Sequence, residues 1–132
     1  MLIAGELNKL KSVTIATPFF NEEPGLENFF NILKKINFLL NDKIKVKYLF
    51  IDDGSVDGTK SKLIKFKDQN PNYNIEVHSH ERNMGYGKTL KNSIFLSNSN
   101  YLITYDSDCT YDYNIIDSLI KNIEIDNYDI IN

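Results

Sequence analysis

Short β-branched or apolar runs alternate along this chain with longer stretches in which apolar residues return every three or four positions. Ser12 to Thr17 (SVTIAT) is the first short run, and Pro18 predicts its end, because proline brings no ladder donor. From Leu26 the residues Leu26, Phe29, Phe30, Leu33, Ile36 and Leu40 form the stripe of an amphipathic helix packed on a sheet, with Pro24 and Gly25 at its start. Val46 to Ile51 (VKYLFI) is a second strand running straight into a loop, Asp52-Asp53-Gly54-Ser55. Asp57-Gly58-Thr59 opens a helix carrying Leu63, Ile64 and Phe66, closed by Asn70-Pro71-Asn72. Asn74 to His78 (NIEVH) alternates as a half-buried strand, and Leu90, Ile94 and Phe95 mark a helix after Gly85 and Gly87. Tyr101 to Tyr105 (YLITY) is a fourth strand. Ile115, Ile116, Leu119, Ile120 and Ile123 mark the next helix, and Tyr128 to Ile131 reads as another strand beginning.

Strands alternating with helices predict an α/β fold, a Rossmann-like, mainly parallel sheet with helices on both faces. In such sheets ligands bind at the carboxyl ends of the strands. Every polar cluster falls there: Pro18 to Glu23, Asp52 to Asp57, Arg82 to Lys88 and Asp106 to Asp112. At 132 residues the chain holds one domain, 1–132, with a substantial core.

Charge and composition narrow the ligand classes. A net charge of −3 at pH 7 provides no basic stripe for a phosphate backbone, so no nucleic acid partner is expected; small phosphorylated ligands fit better. The single cysteine, Cys109, has no intrachain partner, which points to a reducing compartment and a cytoplasmic location. In Met1 to Ser12, Glu6, Lys9 and Lys11 break the apolar run below signal-peptide length, and no stretch is long enough to span a membrane. Peripheral association with a membrane stays open.

Asp106-Ser107-Asp108 places two carboxylates two residues apart, on one side of an extended segment. Two such hard oxygen ligands can hold Mg²⁺ or Mn²⁺ while water and a diphosphate complete the coordination. Two other readings compete: a solvated acidic turn, and a calcium loop through Asp106, Asp108, Thr110 and Asp112. The calcium loop is disfavoured by Tyr111 where a glycine is required. Asp52 to Thr59 offers acceptors for a base or ribose, with glycines for a sharp turn, against the plain reading of a turn. Pro18-Phe19-Phe20-Asn21-Glu22 joins a rigid turn, two aromatics and a carboxylate; in isolation the aromatics read as core. Arg82-Asn83-x-Gly85-x-Gly87-Lys88 could present backbone N–H groups and a lysine to phosphate, but lacks the P-loop spacing. His78 and His80 read as surface or packing residues rather than ligands.

Taken together, Thr17-Pro18-Phe19-Phe20-Asn21-Glu22, Asp52-Asp53-Gly54-Ser55-Val56-Asp57-Gly58-Thr59, Asn83-Met84-Gly85-Tyr86-Gly87-Lys88 and Asp106-Ser107-Asp108 resemble the family-2 glycosyltransferases. The pattern is similar to that of the dolichyl- or polyprenyl-phosphate sugar synthases, and spans about Val13 to Ile131. The resemblance implies a GT-A fold, a UDP- or GDP-sugar donor, a divalent metal (Mg²⁺ or Mn²⁺) and transfer with inversion at the anomeric carbon. It further implies that Pro18, Phe20 and Glu22 line the nucleotide pocket and that Asp53, with Asp52 close behind, contacts base or ribose. Gly85 and Lys88 would belong to the nucleotide loop, Asp106 would touch ribose or metal, and Asp108 would be the principal metal ligand.

Members of the family continue well beyond this motif, into a part that supplies the acceptor pocket and any general base. This chain is therefore expected to be the N-terminal, donor-binding part of a cell-envelope glycosyltransferase whose acceptor is a polyprenyl phosphate or a glycan, with the catalytic base beyond residue 132. The alternative is a non-catalytic nucleotide-binding or assembly module, dimerising through an exposed sheet edge. A nucleotidyltransferase is disfavoured, because Pro18 to Glu23 stands where its glycine-rich loop would be.

Overall fold

The computed structural model describes residues 11–125. Four parallel strands, β1 (Ser12–Phe19), β2 (Lys45–Asp52), β3 (Ile75–Ser79) and β4 (Tyr101–Thr104), form one sheet in the order β3-β2-β1-β4. A short 3₁₀ turn at Glu23–Gly25 leads into α1 (Leu26–Leu40), and α2 (Thr59–Gln69), α3 (Tyr86–Leu96) and α4 (Asn114–Ile125) follow β2, β3 and β4. This is the predicted α/β architecture. The strand predicted at Tyr128 to Ile131 lies outside the described residues.

The helical stripe behaves as its spacing requires: Leu26, Phe29, Leu33, Ile36 and Leu40 of α1 are all buried. They join Leu63 and Phe66 of α2, Ile116 and Ile120 of α4, and Val13, Ile15, Phe19, Tyr48 and Phe50 of the sheet in one core. Each fully buried side chain of this size contributes about 1.5–3 kcal/mol. Phe19, Phe29 and Phe50 meet edge to face at 5.0–5.6 Å, and Phe30 stacks on Phe66 at 4.0 Å, tying α1 to α2. The opposite face is covered by α3, where Leu96 packs on Ala16, Leu49 and Ile51.

One expectation is corrected. Pro18 does not end β1; it sits inside the strand, in register with Ile51. The Tyr105 N–H donates to Ala16 O on the β4 side, while the Asp53 N–H donates to Phe19 O on the β2 side. By strand alternation Pro18 faces β4, whose pairing has already stopped at Ala16, so no ladder bond is lost. In α3, Ile94 and Phe95 are exposed, and the buried face is Thr89 and Ser93. Their hydroxyls donate to Gly85 O (3.0 Å) and Leu90 O (2.6 Å) of their own helix, which lets small polar side chains lie against the sheet.

Chain order β1, β2, β3 moves outward in one direction and then returns past β1 to β4. The strand order therefore reverses between β1 and β4, the kind of place at which parallel sheets open a crevice at the carboxyl ends of their strands.

Candidate functional site

A cavity of about 380 Å³ occupies that crevice. Its lining comes from four strand-end segments: Pro18, Phe19, Phe20 and Glu22 at and just past the end of β1, Asp53 after β2, Asn83, Gly85, Tyr86 and Thr89 around the start of α3, and Asp106, Ser107 and Asp108 after β4.

Local chemistry explains why the first two segments hold their shape. Asn21 takes a left-handed backbone (φ +50°); its N–H donates to Ser55 Oγ (2.9 Å), and its Oδ1 accepts the Val56 N–H (2.9 Å). The Glu22 N–H donates to Thr59 Oγ1 (2.9 Å), and the Gly58 N–H donates to Glu23 Oε2 (2.8 Å). Asp57 accepts the Thr59 N–H (2.9 Å) and the Thr59 hydroxyl (2.5 Å) at the start of α2. The Gly58 N–H, and beside it Lys62, hold the Glu23 carboxyl below its usual range. Asn21, Ser55, Asp57 and Thr59 are therefore occupied with one another, and they shape the loops rather than the lining.

Asp53 joins the second segment to the third. It is buried; Oδ1 accepts the Met84 N–H (2.8 Å) and lies 2.6 Å from His80 Nδ1, while Oδ2 accepts the Gly85 N–H (3.0 Å). Burial raises the Asp53 carboxyl, but the His80 contact and the two N–H groups outweigh it, so its pKa lies below the ordinary value. Gly54 beside it has φ +73°, and its missing Cβ leaves room for the Arg82 and Asn83 backbone.

At the other end of the cavity, Asp106 to Asp108 is not extended as the sequence predicts. The chain turns back on itself: the Cys109 N–H donates to Asp106 O (3.2 Å), and Cys109 takes φ +56°. The turn nonetheless keeps both carboxylates in the lining. Asp108 Oδ1 accepts the Thr110 N–H and hydroxyl at 3.1 Å, and the Tyr86 hydroxyl donates to Asp106 Oδ1 (2.9 Å). Desolvation, followed by that bond to Asp106, pushes the Tyr86 phenol up. The loop is closed beneath by Tyr105, whose hydroxyl donates to Tyr111 O (2.8 Å) and whose pKa burial pushes up to about 12. Asp112 accepts the Asn114 N–H at the start of α4 and stands outside the lining, which removes it from the calcium-loop arrangement.

Among the described residues no three His, Cys, Asp or Glu side chains gather as a closed metal cage. Two carboxylates facing a cavity instead fit a hard divalent cation that draws its remaining ligands from water and a bound diphosphate. Of the residues singled out from sequence, Pro18, Phe20, Glu22, Asp53, Gly85, Asp106 and Asp108 come together. Two do not. Asp52 is buried beneath, where Oδ2 accepts the Ser55 N–H (3.3 Å) and Oδ1 has no hydrogen-bond partner among the described residues. Lys88 faces a separate depression with His80, Arg82 and Asn92. Sequence reasoning missed Tyr86, Thr89 and the contact of His80 with Asp53. The helical spacing of Tyr86 and Thr89, three residues apart, was the available signal for the first two.

The chain matches the family described as Glycosyl transferase family 2 over residues 14–132. It is 31% identical over 125 residues to a processive diacylglycerol beta-glycosyltransferase of Mycoplasma pneumoniae, covering 94% of this chain and 35% of that protein. It is 26% identical over 118 residues to a dolichyl-phosphate beta-glucosyltransferase of Dictyostelium discoideum, covering 85% of this chain and 36% of that one. The chain thus spans about a third of the length of these relatives. Among solved structures, a mannosyltransferase from Pyrobaculum calidifontis in complex with GDP-Man and Mn²⁺ superposes with TM-score 0.71 at 18% identity, over 89% of this chain and 32% of that one. Residues 1–349 of S. aureus TarS in complex with UDP superpose with TM-score 0.63 at 20% identity, over 86% of this chain and 32% of that one. These likenesses show a shared GT-A fold. With the family match running over nearly all of the sequence, the chain belongs to glycosyl transferase family 2.

Proposed function

We propose that this chain forms the donor-binding part of a glycosyltransferase that moves a sugar from a UDP- or GDP-linked donor, with inversion, to a lipid phosphate or glycan. The observation that carries this reading is the convergence of Asp53, the Gly85 loop and the Asp106/Asp108 pair on one cavity at the β1/β4 crevice. Asp53, with three acceptor positions engaged on its two oxygens, keeps capacity for one donor from a base or ribose. Phe20, about half exposed, offers a ring face beside it. Asp106 and Asp108 would hold Mg²⁺ or Mn²⁺, with Asp108 the principal ligand. When bound, that ion neutralises charge developing on the departing nucleoside diphosphate.

Support for the donor class comes from the GDP-Man and UDP complexes of the structural relatives. The diacylglycerol and dolichyl-phosphate relatives favour an acceptor presented at a membrane surface. The reading is of action at the cytoplasmic face of that membrane; among the described residues no helix is long and apolar enough to cross it. The test is a titration of UDP, GDP and their sugars with and without Mn²⁺, for the wild type and Asp108→Ala. Metal-dependent binding that Asp108→Ala abolishes supports the proposal; absent binding, or binding indifferent to metal and substitution, removes it.

A further inference from the structure

Behind the cavity wall, three side chains, from just past the ends of β2 and β3 and from α3, form a line of which only Asp53 takes part in the proposed donor contacts. His80, just past β3, lies with Nδ1 2.6 Å from Asp53 Oδ1 and Nε2 2.7 Å from Asn92 Nδ2 of α3. The pair is well buried, with side-chain exposures of 15% for His80 and 6% for Asp53. An amide nitrogen at Nε2 donates there, which makes Nε2 the acceptor and places the ring proton on Nδ1, where it points at the carboxylate. Its backbone N–H donates to Asp52 O (2.9 Å), so the ring is anchored at both ends and at its Cα.

We infer that His80 is a positioning residue for donor binding, setting the rotation of the Asp53 carboxylate and, through it, the Met84 and Gly85 amides at the cavity edge. The physical reason is a count of contacts. Asp53 Oδ1 receives both His80 and the Met84 N–H, while Oδ2 receives the Gly85 N–H alone and keeps one acceptor position, on a residue that lines the cavity. Without the His80 proton, Oδ1 is underused in a buried place, and the carboxylate gains freedom to rotate away from Gly85. Asn92 extends the line into α3, the helix that also carries Tyr86, so the two ends of the cavity share one support. His80 itself is absent from the lining and acts only through Asp53.

This inference rests on the donor-binding reading, and its test separates the two. In the full chain, amide hydrogen exchange at Met84 and Gly85 is measured without nucleotide, and the affinity for UDP and GDP is measured with Mn²⁺. His80→Ala should speed exchange at both amides and weaken nucleotide binding about tenfold. His80→Asn, whose Nδ2 stands close to the place of Nδ1, should restore both to near wild type. In the wild type, nitrogen chemical shifts should show His80 protonated at Nδ1 and bare at Nε2. Wild-type exchange and affinity in His80→Ala would overturn the inference, and so would a folded His80→Asn that restores neither. Should His80→Ala not fold, Asn92→Leu frees the ring while keeping Asp53: faster exchange at Met84 and Gly85 supports the inference, and unchanged exchange overturns it. A wild type that binds no nucleotide sinks the donor reading, while the exchange result still decides the role of His80.

Discussion

Gly54 and Arg82 meet backbone to backbone: a Cβ placed on Gly54 would lie 2.3 Å from the Arg82 carbonyl carbon and 2.5 Å from the Asn83 nitrogen. Backbone cannot swing aside as a side-chain tip can, and Gly54 also sits at φ +73°. Gly54→Ala should therefore lose roughly 2–5 kcal/mol, combining left-handed strain with overpacking. Gly85 has φ +93° but no atom within 4 Å of an added Cβ, so Gly85→Ala should lose only the strain part, about 1–3 kcal/mol. Urea unfolding of both variants checks the ranking. Equal losses would mean that the close approach of the two loops is not what requires glycine at 54.

Phe19 and Phe20 are neighbours with opposite fates. Phe19 is buried against Phe29 and Phe50, whereas Phe20, the next residue, is 44% exposed at the cavity. Phe19→Ala should destabilise by about 3–5 kcal/mol. Phe20→Ala should change stability by less than about 1 kcal/mol and weaken nucleotide binding about fivefold through the lost ring face, the low end of the roughly 1–3 kcal/mol carried by a stacked base, since the ring is partly exposed. Parallel unfolding and nucleotide titrations read both; a large stability loss in Phe20→Ala would place that ring in the core instead.

The same contrast shows what could be read before the fold was known. Core helices were legible because burial repeats with the helical period, as in Leu26, Phe29, Leu33 and Ile36. The position of the cavity was legible because parallel sheets put their loops at one end. Which side chain of an acidic pair faces outward was not. Asp52 still belongs to β2 and points into the interior, while Asp53, one residue on, turns to the cavity. The fate of Lys88 was equally hidden, since a motif written as a string ignores the 100° turn per residue that sends Tyr86 and Thr89 to the cavity and Lys88 to the far side with Asn92. Asp106 to Asp108 read as extended because strand alternation was continued one step too far, into a turn that Cys109 closes with a positive φ.

Acid should act on the loops through Asp53. Its folded pKa lies below the ordinary carboxylate value, so the stability it contributes is fully present above the unfolded pKa, near 4, and is lost as pH falls through the lower folded value. Asp53→Asn removes the charge and offers an amide to the Met84 and Gly85 donors, and should lose about 2–3 kcal/mol at pH 7. The gap between wild type and variant should then narrow steadily below pH 4. Urea midpoints from pH 7 to pH 3 test this, and a gap independent of pH would remove the carboxylate charge from the explanation.

Tyr86 gives the sharpest separation of binding from folding. The residue is 55% exposed, so Tyr86→Phe should leave stability within about 0.5 kcal/mol, while deleting the hydroxyl that donates to Asp106 Oδ1 at 2.9 Å. A hydrogen bond to a charged group carries about 1.5–3 kcal/mol, discounted here for exposure. Mn²⁺-supported nucleotide binding should therefore weaken roughly three- to tenfold. Lys88→Ala, two residues on in the same helix but facing the separate depression, should stay within about twofold of wild type at matched ionic strength. Reversal of that order, with Lys88 the more sensitive position, would mean that the phosphates lie on the His80 side of the Gly85 loop and that the donor enters from the opposite side of α3.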